Sequence, residues 1–389
     1  MSAERRPGRH IETVAFGETV RAFVPAPLPP DPPLHLDPLL NKLADAERKL
    51  GALDAISDLL PDPELFQYMY ARKEAVLSSQ IEGTQSTLTT LLRADAEGRT
   101  RPLNDDLREA FNYTAAMDYV LERLETLPLS LRLIREAHEQ LMQSVRGFQA
   151  TPGEFRRSQN WIGGTRPGNA RFVPPPVPEM HECLDRFERF IHTKTPDMPP
   201  IVQAALLHHQ FETIHPFLDG NGRVGRLLIV LFLCARGVLR RPILYPSLYF
   251  KRRRDEYYAG LQNVRDHGDW ESWIAFFLEA VAESAAHALD MTRRIRAMFE
   301  EHRGTIVGEG GARASSALRV HDALCRRPFA SVSDLASAAQ LSRPTVRSCL
   351  ERLSGLDLVR EVTGASYGRL YSYYPYVALL DEDSDQPFA

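Results

Sequence analysis

Apolar residues recur three and four positions apart along most of the chain, which predicts a mainly α-helical protein. The first such run covers 36–50, and a second covers 63–82 and stops at a glycine, the residue that most often ends a helix. Runs over 105–125, 128–146 and 178–192 have the same spacing. We therefore expect a helical bundle for the larger part of the molecule.

Four stretches depart from this pattern. Residues 1–34 hold a proline-rich run and are expected to form an irregular, extended arm. Aromatic and β-branched residues around a Gly/Pro/Asn turn at 153–176 predict a β-hairpin. A glycine-rich break at 303–315 predicts a domain boundary. Residues 381–389 are acidic and are expected to be disordered.

Composition narrows the class of protein. A chain of 389 residues with 43% apolar residues can hold two or three domains, and its net charge of −4 gives no global polycation for nucleic acid. The four cysteines form no CxxC pair, which favours free thiols in a reducing compartment. No apolar run reaches the roughly 18–20 residues that span a bilayer, and no apolar signal core follows the N-terminus. We expect a soluble cytoplasmic protein without a membrane partner.

The most informative string is HPFLDGNGRVGR, from His215 to Arg226. His215 can exchange a proton near neutral pH, and Asp219 supplies a hard oxygen ligand suited to Mg²⁺. The turn at 220–222 precedes the apolar run LLIVLFLCA, so a glycine-rich loop opens a helix whose positive end attracts anions. Arg223 and Arg226, three apart, share one face of that helix. Base, metal ligand, anion cradle and paired arginines together indicate phosphate ester chemistry.

Two other phosphate-binding motifs are excluded. No Gly-Lys-Ser/Thr follows the glycines, so the string is not a Walker A loop. A helical pattern rather than a strand precedes it, so it is not a Rossmann turn.

The string resembles the signature of the Fic family (Fic/Doc fold), whose members mostly transfer AMP from ATP to a protein hydroxyl. The resemblance implies that His215 is the general base and that Asp219 holds Mg²⁺ on the α- and β-phosphates. It further implies an ATP-binding set made of Gly220, Asn221, Gly222, Arg223, Gly225 and Arg226, with the Asn221 side chain helping to cradle the developing charge.

Ser78, Glu82 and Gly83 stand near the end of the second predicted helix. Ser-x-x-x-Glu-Gly resembles the inhibitory motif of the family, in which the glutamate pairs with the second arginine of the signature. The resemblance implies a bidentate pair between Glu82 and Arg226 that excludes the γ-phosphate. It also implies a second role for Glu82, the alignment of a water that removes AMP.

The hairpin at 160–174 corresponds to the family's flap over the active site. There the resemblance implies that a protein substrate docks by adding a strand to the flap edge. Ile162, Gly163 and Gly164 would approach the nucleotide, and Tyr258 would line the adenine pocket. Self-modification and a homodimer are further expectations from the family.

Residues 312–380 follow the order helix, short helix, turn, longer helix and hairpin, which resembles a winged helix–turn–helix. Nine arginines against five acidic residues between 312 and 375 make this part locally basic, with Arg343 and Arg347 on the candidate recognition helix. DNA contact and a dimerisation or docking role both remain open, because the charge excess is small.

These observations predict four parts: an N-terminal arm and inhibitory region (1–115), a Fic catalytic core (116–300), a winged helix (312–380) and an acidic tail (381–389). The predicted function is that of a protein adenylyltransferase using ATP and Mg²⁺. Two alternatives remain: a transferase of another phosphate-linked group, and a DNA-binding regulator that carries a Fic fold.

Overall fold

The computed structural model describes residues 5–59, 63–98, 103–143, 151–193, 198–309, 314–365 and 368–382. Its strands and helices are, in chain order, β1 Gly8–Ala15, β2 Glu18–Pro25, α1 Leu40–Leu59, α2 Pro63–Ile81, α3 Leu88–Ala96, α4 Asp105–Leu124, α5 Leu131–Leu141, α6 Val177–His192, α7 Pro200–Ile214, α8 Asn221–Ala235, α9 Ser247–Arg252, α10 Arg254–His267, α11 Trp270–Gly308, α12 Ala314–Arg326, β3 Phe329–Ser331, α13 Val332–Ala339, α14 Arg343–Gly355, β4 Arg360–Glu361, β5 Leu370–Ser372 and α15 Tyr374–Asp381. The prediction of a mainly α-helical fold is confirmed.

Helices α7 and α8 form the centre of the bundle. Every residue of α7 from Ile201 to Ile214 is buried, and α8 is buried over most of its length. Helices α4, α5, α6 and α11 pack around this pair. The two central helices lack a solvated face, which is why the sequence of α8 after Arg226 is a continuous apolar run and the polar residues of α7 are buried too.

The signature string forms the connection between α7 and α8. His215 ends α7 in the left-handed conformation, with φ of 49°, and Gly220 begins α8 with φ of 75°. The loop is thus fixed at both ends by backbone that leaves the helical region. This geometry places the amino end of α8 beside the His215 side chain.

The N-terminal arm contradicts its prediction. β1 and β2 form a regular antiparallel hairpin, with Ala15 opposite Glu18 across a Phe16-Gly17 turn. Only the part from Pro25 onward agrees with the expected irregular arm, since Pro25 is the last residue of β2. The alternation of buried Val20 and Ala22 with exposed Arg21 is the strand signal here, and the proline run begins only where β2 ends.

Helix α11 also differs from the prediction. It continues to Gly308, so the first half of the expected break over 303–315 is helical, and residues 310–313 lie outside the described residues. Beyond it, α12, β3, α13, α14 and the β4–β5 hairpin follow the order expected for residues 312–380, with strand order β3-β5-β4. The winged-helix assignment stays a prediction, and most of the expected acidic tail, 383–389, lies outside the described residues.

The C-terminal module, defined here as 314–382, packs on the segment that carries Glu82. Buried Lys73 of α2 donates to the backbone oxygen of Leu380 at 3.5 Å, and Thr89 of α3 hydrogen-bonds Asp381. The last turn of α15 therefore rests against both α2 and α3. Within the part of the chain that the structure describes, no helix combines the length and apolar character of a membrane span.

Candidate active site

Two polar side chains hold the backbone of His215 in place. Buried Arg156 donates from Nε to the His215 carbonyl at 3.1 Å and from Nη2 to the carbonyl of Pro175. Asn160 donates to the same His215 carbonyl at 3.3 Å and to the Phe217 carbonyl at 2.9 Å. These hydrogen bonds join the start of the flap, and the chain just before it, to the signature loop.

The side chain of Asn221 does not face the expected phosphate position. It is 2% exposed, accepts from the Phe217 N–H at 2.9 Å and donates to the Phe217 carbonyl at 2.8 Å. The amide thus closes the loop on itself, in place of the phosphate contact expected of this side chain. What remains of the predicted cradle is the backbone at the amino end of α8.

His138, which the sequence did not single out, supports the same loop from α5. Its ring stacks on Phe217 with centroids 3.8 Å apart. Nδ1 accepts from the Gly153 N–H at 2.9 Å, so Nε2 carries the proton and donates to the Asp219 carbonyl at 3.0 Å. Burial lowers the pKa of His138 to about 4, which keeps this tautomer neutral at pH 7.

The His215 imidazole is also neutral at pH 7. Burial, followed by the cationic Arg265 and Arg156 nearby, lowers the pKa of His215 to about 3. A hydrogen bond to the Glu212 backbone and the charge of Glu82 oppose this lowering without reversing it. A neutral imidazole can accept a proton, as a general base must.

A cavity of about 310 Å³ opens beside His215. Its described lining combines the signature loop and the start of α8 with the residues after α2 and the start of α4: Glu82, Gly83, Thr84, Asp106, Glu109, His215, Leu218, Asp219, Gly220, Asn221, Gly222 and Arg223. Ile162, Gly163, Gly164 and Tyr258 do not belong to this described lining. The structure therefore brings most of the predicted phosphate-binding residues together, and the flap and adenine roles stay predictions.

Arg226 is buried beneath the end of α2. Its Nη2 donates to Glu82 Oε1 at 2.6 Å and to the Ser78 carbonyl at 3.0 Å, while Nε donates to Ser78 Oγ at 2.8 Å. The expected pair with Glu82 is present, but Ser78 takes the second arm of the expected bidentate fork. The predicted partners meet through a network of three hydrogen bonds.

The Glu82 carboxylate lies directly against the amino end of α8. A Cβ built on Gly222 would lie 2.2 Å from Glu82 Oε1, so any other residue at this position would displace the carboxylate from where it lies. Burial raises the pKa of Glu82, but the charge and hydrogen bond of Arg226 outweigh it and leave the pKa lowered. Glu82 is thus anionic at neutral pH and sits at the position that favours anions.

Arg223 has a different carboxylate partner. Its Nη1 lies 2.9 Å from Glu109 Oε2, and both side chains are buried. No sequence motif marks Glu109, because it lies within α4 about a hundred residues before Arg223, so this pair could not be predicted from the sequence.

Asp219 fits the expected metal ligand in its chemistry. Its carboxylate is half exposed at the cavity, with Oδ1 accepting from the Gly220 N–H at 2.6 Å. Mg²⁺ typically takes one or two protein carboxylates and completes its shell with water and substrate phosphates. One carboxylate beside a phosphate-sized cavity meets that demand.

The flap is less regular than the predicted hairpin. A single bridge joins Ile162 and Phe172, and a 3₁₀ turn at Pro167–Asn169 connects them. The N-terminal hairpin covers one edge, because the Phe23 N–H donates to the Val173 carbonyl at 2.8 Å.

Comparison with known proteins gives a consistent picture. The model described as Fic/DOC family N-terminal matches residues 40–122, and that of the Fic/DOC family matches residues 128–233. Proteins named protein adenylyltransferase Fic from Drosophila ananassae and Drosophila yakuba are each 30% identical over 261 residues, 63% of this chain and 48% of theirs. The chain spans about half the length of these curated relatives.

Among solved structures, a Fic family protein from Desulfovibrio desulfuricans G20 aligns over 88% of this chain and 97% of its own, with a TM-score of 0.56 at 19% identity. This likeness shows the shared fold.

Proposed function

Because the chain belongs to the Fic/DOC family, we propose that it transfers AMP from ATP to a serine, threonine or tyrosine hydroxyl of a protein. The observation that carries the proposal is a neutral His215 at a cavity formed by the amino end of α8, Asp219 and Arg223. The names of the Drosophila relatives agree with this reaction class.

The neutral His215 takes the proton of the target hydroxyl, and the oxygen attacks the α-phosphorus. The bond from the α-phosphorus to the oxygen that bridges to the β-phosphate breaks, and pyrophosphate leaves. Backbone N–H groups at the start of α8 stabilise the charge on the phosphates, and Arg223 and Arg226 orient the β- and γ-phosphates. Mg²⁺, held by Asp219, would supply further charge neutralisation.

We further propose that Glu82 keeps this site in a resting state. Its carboxylate neutralises Arg226 and fills the anion position against Gly222, so a γ-phosphate meets both a steric and an electrostatic barrier. Activation then requires the end of α2 to carry Glu82 away from Arg226.

The decisive experiment compares transfer of label from [α-³²P]ATP to protein by wild type, Glu82→Gly and Glu82→Gly/His215→Ala. Glu82→Gly should raise the labelling, and adding His215→Ala should reduce it by roughly 10²–10⁴-fold, the usual contribution of a positioned base. Label from [γ-³²P]ATP should not appear on protein. Its appearance would show phosphate transfer and overturn the proposal.

Removal of AMP is a separate part of the proposal. Modified target, purified and incubated with wild type or Glu82→Gly, should lose AMP only with the protein that retains Glu82. Equal release by both would contradict the role of Glu82 in aligning a water.

A second candidate function concerns the C-terminal module. Exposed Arg343 and Arg347 of α14 and Arg369 of the β4–β5 hairpin line a groove of about 670 Å³ together with Ser331, Ser333 and Ser354. Guanidinium and hydroxyl groups are the usual contacts to phosphate oxygens of nucleic acid, which favours DNA binding. Fluorescence anisotropy with duplex DNA should show affinity that falls steeply with salt, and Arg343→Glu/Arg347→Glu should flatten that dependence. Binding insensitive to salt would favour the docking role instead.

A further inference from the structure

The two arginines of the signature are held by two different carboxylates. Arg226 meets Glu82 at the end of α2, whereas Arg223 meets Glu109 near the start of α4. The Glu82 side chain is 37% exposed and the Glu109 side chain is 9% exposed. This difference suggests that Glu109 stays in place when Glu82 leaves.

Arg223 requires a carboxylate partner. Its side chain is 4% exposed, and a buried guanidinium without a counter-charge is strongly unfavourable. Besides the bond to Glu109, its Nη2 faces the weak acceptor Met142 Sδ at 3.6 Å, and its Nε has no partner. Glu109 therefore supplies the strong contact that orients this guanidinium.

A second carboxylate competes for Arg223. Asp219 Oδ1 lies 3.9 Å from Arg223 Nη2, at the outer limit of an ion pair. Asp219 stands four residues before Arg223, in the loop that precedes α8, and is half exposed, so a rotation of the guanidinium would close the gap. The structure thus keeps Arg223 on Glu109 and only at the edge of contact with Asp219.

We propose that Glu109 is a positioning residue: by binding Arg223, it keeps the Asp219 carboxylate free for the divalent cation that accompanies the nucleotide. The inference rests on the proposed function, since it assumes an ATP site at Asp219. Glu109 itself touches neither the reacting oxygen nor the α-phosphate. Without it, the buried guanidinium turns to Asp219 and occupies the metal ligand.

This role predicts a specific defect in metal use. In the Glu82→Gly background, where Arg226 has lost its carboxylate partner, we compare the affinity for α,β-methylene-ATP in excess EDTA and in saturating Mg²⁺ by isothermal titration calorimetry. Adding Glu109→Gln should reduce the gain in affinity from Mg²⁺ by roughly 10–100-fold, as expected when the support of a metal ligand is lost. Affinity in EDTA should change much less, because Arg223 remains in the cavity.

Two further variants separate positioning from a general structural effect. Asp105→Asn removes a carboxylate from the same turn of α4, where it pairs with Arg108 at 3.1 Å, and should leave the Mg²⁺ gain unchanged. Adding Arg223→Met to Glu109→Gln removes the competing cation. The Mg²⁺ gain should then return towards that of the Glu82→Gly parent, even though the affinity in EDTA falls.

The outcomes distinguish this inference from the proposed function. If the Glu82→Gly parent does not bind the analogue, the proposed function fails. If the parent binds with a Mg²⁺ gain that Glu109→Gln leaves unchanged, or binds equally with and without Mg²⁺, the role of Glu109 is overturned. If circular dichroism shows that Glu109→Gln does not fold, Glu109→Asp takes its place, because it keeps the negative charge but moves it away from Arg223. An unchanged Mg²⁺ gain in that variant would equally refute the inference.

Discussion

The imidazole of His215 is ready to accept a proton but is a weak base in this structure. Its pKa of about 3 follows from burial and from the cations Arg265 and Arg156, which together outweigh the Glu212 backbone hydrogen bond and the charge of Glu82. A polyphosphate in the cavity would bring negative charge close to the ring. The pKa of His215 should therefore rise when nucleotide binds, towards the range in which a general base is most effective.

This argument gives a prediction for NMR titration of ¹³C-labelled histidine. The resonance that disappears in His215→Ala should not titrate between pH 8 and pH 5, because the neutral form persists down to about pH 3. In Glu82→Gly with α,β-methylene-ATP, the same resonance should titrate at higher pH. A midpoint near 6.5 without nucleotide would show that the ring is solvated, contrary to the structure.

Some residues of the site could be predicted from the sequence and others could not. The pair of Glu82 and Arg226 could be predicted because each partner stands in a short motif with its own spacing. Glu109, His138 and Arg156 stand in no motif, and each looks like an ordinary polar residue of a helix or loop. Their meeting with the signature loop depends on how α4, α5 and the chain before the flap pack, which spacing along the sequence does not reveal.

At the scale of elements, the N-terminal hairpin and the flap form one unit. Ala22 of β2 is fully buried in a small cluster with Val20 and Val173, and Phe16 at the turn contacts the Trp161 ring at 5.5 Å. The hairpin thus supports the edge of the flap at Val173. The sequence could have revealed β1 and β2 by their alternation, but not that they pack on residues 150 positions away.

Ala22→Asp should detach this hairpin from the flap. The substitution buries a carboxylate in an apolar cluster without a partner, which is unfavourable by several kcal/mol. Hydrogen exchange followed by mass spectrometry should show faster exchange at 161–173. Arg21→Asp adds a carboxylate to the exposed face of the same strand and serves as the control, with exchange at 161–173 as in wild type. Equal protection in both variants would mean that the flap does not depend on the hairpin.

At the scale of the whole molecule, the fold buries two sets of titratable groups, histidines whose pKa values are lowered and glutamates whose pKa values are raised. Five buried or largely buried histidines have lowered pKa values, chiefly because of burial: His138, His208, His209, His215 and His321. Burial also raises the pKa of the carboxyl groups of Glu74 and Glu212 to about 7. Because the pKa values of both sets differ between the folded and unfolded states, the free energy of unfolding must depend on pH even though the net charge is small.

The direction of that dependence follows from proton counting. Between pH 6.5 and 4.5, unfolding lets the five histidines take up protons, because their pKa values return to about 6.5, whereas Glu74 and Glu212 release theirs as their pKa values return to about 4.5. The histidines outnumber the carboxyl groups, so the unfolded state binds more protons and stability falls as pH decreases. Each uncompensated group contributes at most about 1.4 kcal/mol per pH unit.

The melting temperature should therefore fall from pH 6.5 to pH 4.5, and Glu212→Gln, which removes one opposing group, should steepen the fall. A melting temperature that rises over this interval would show that the histidines are not neutral in the folded protein.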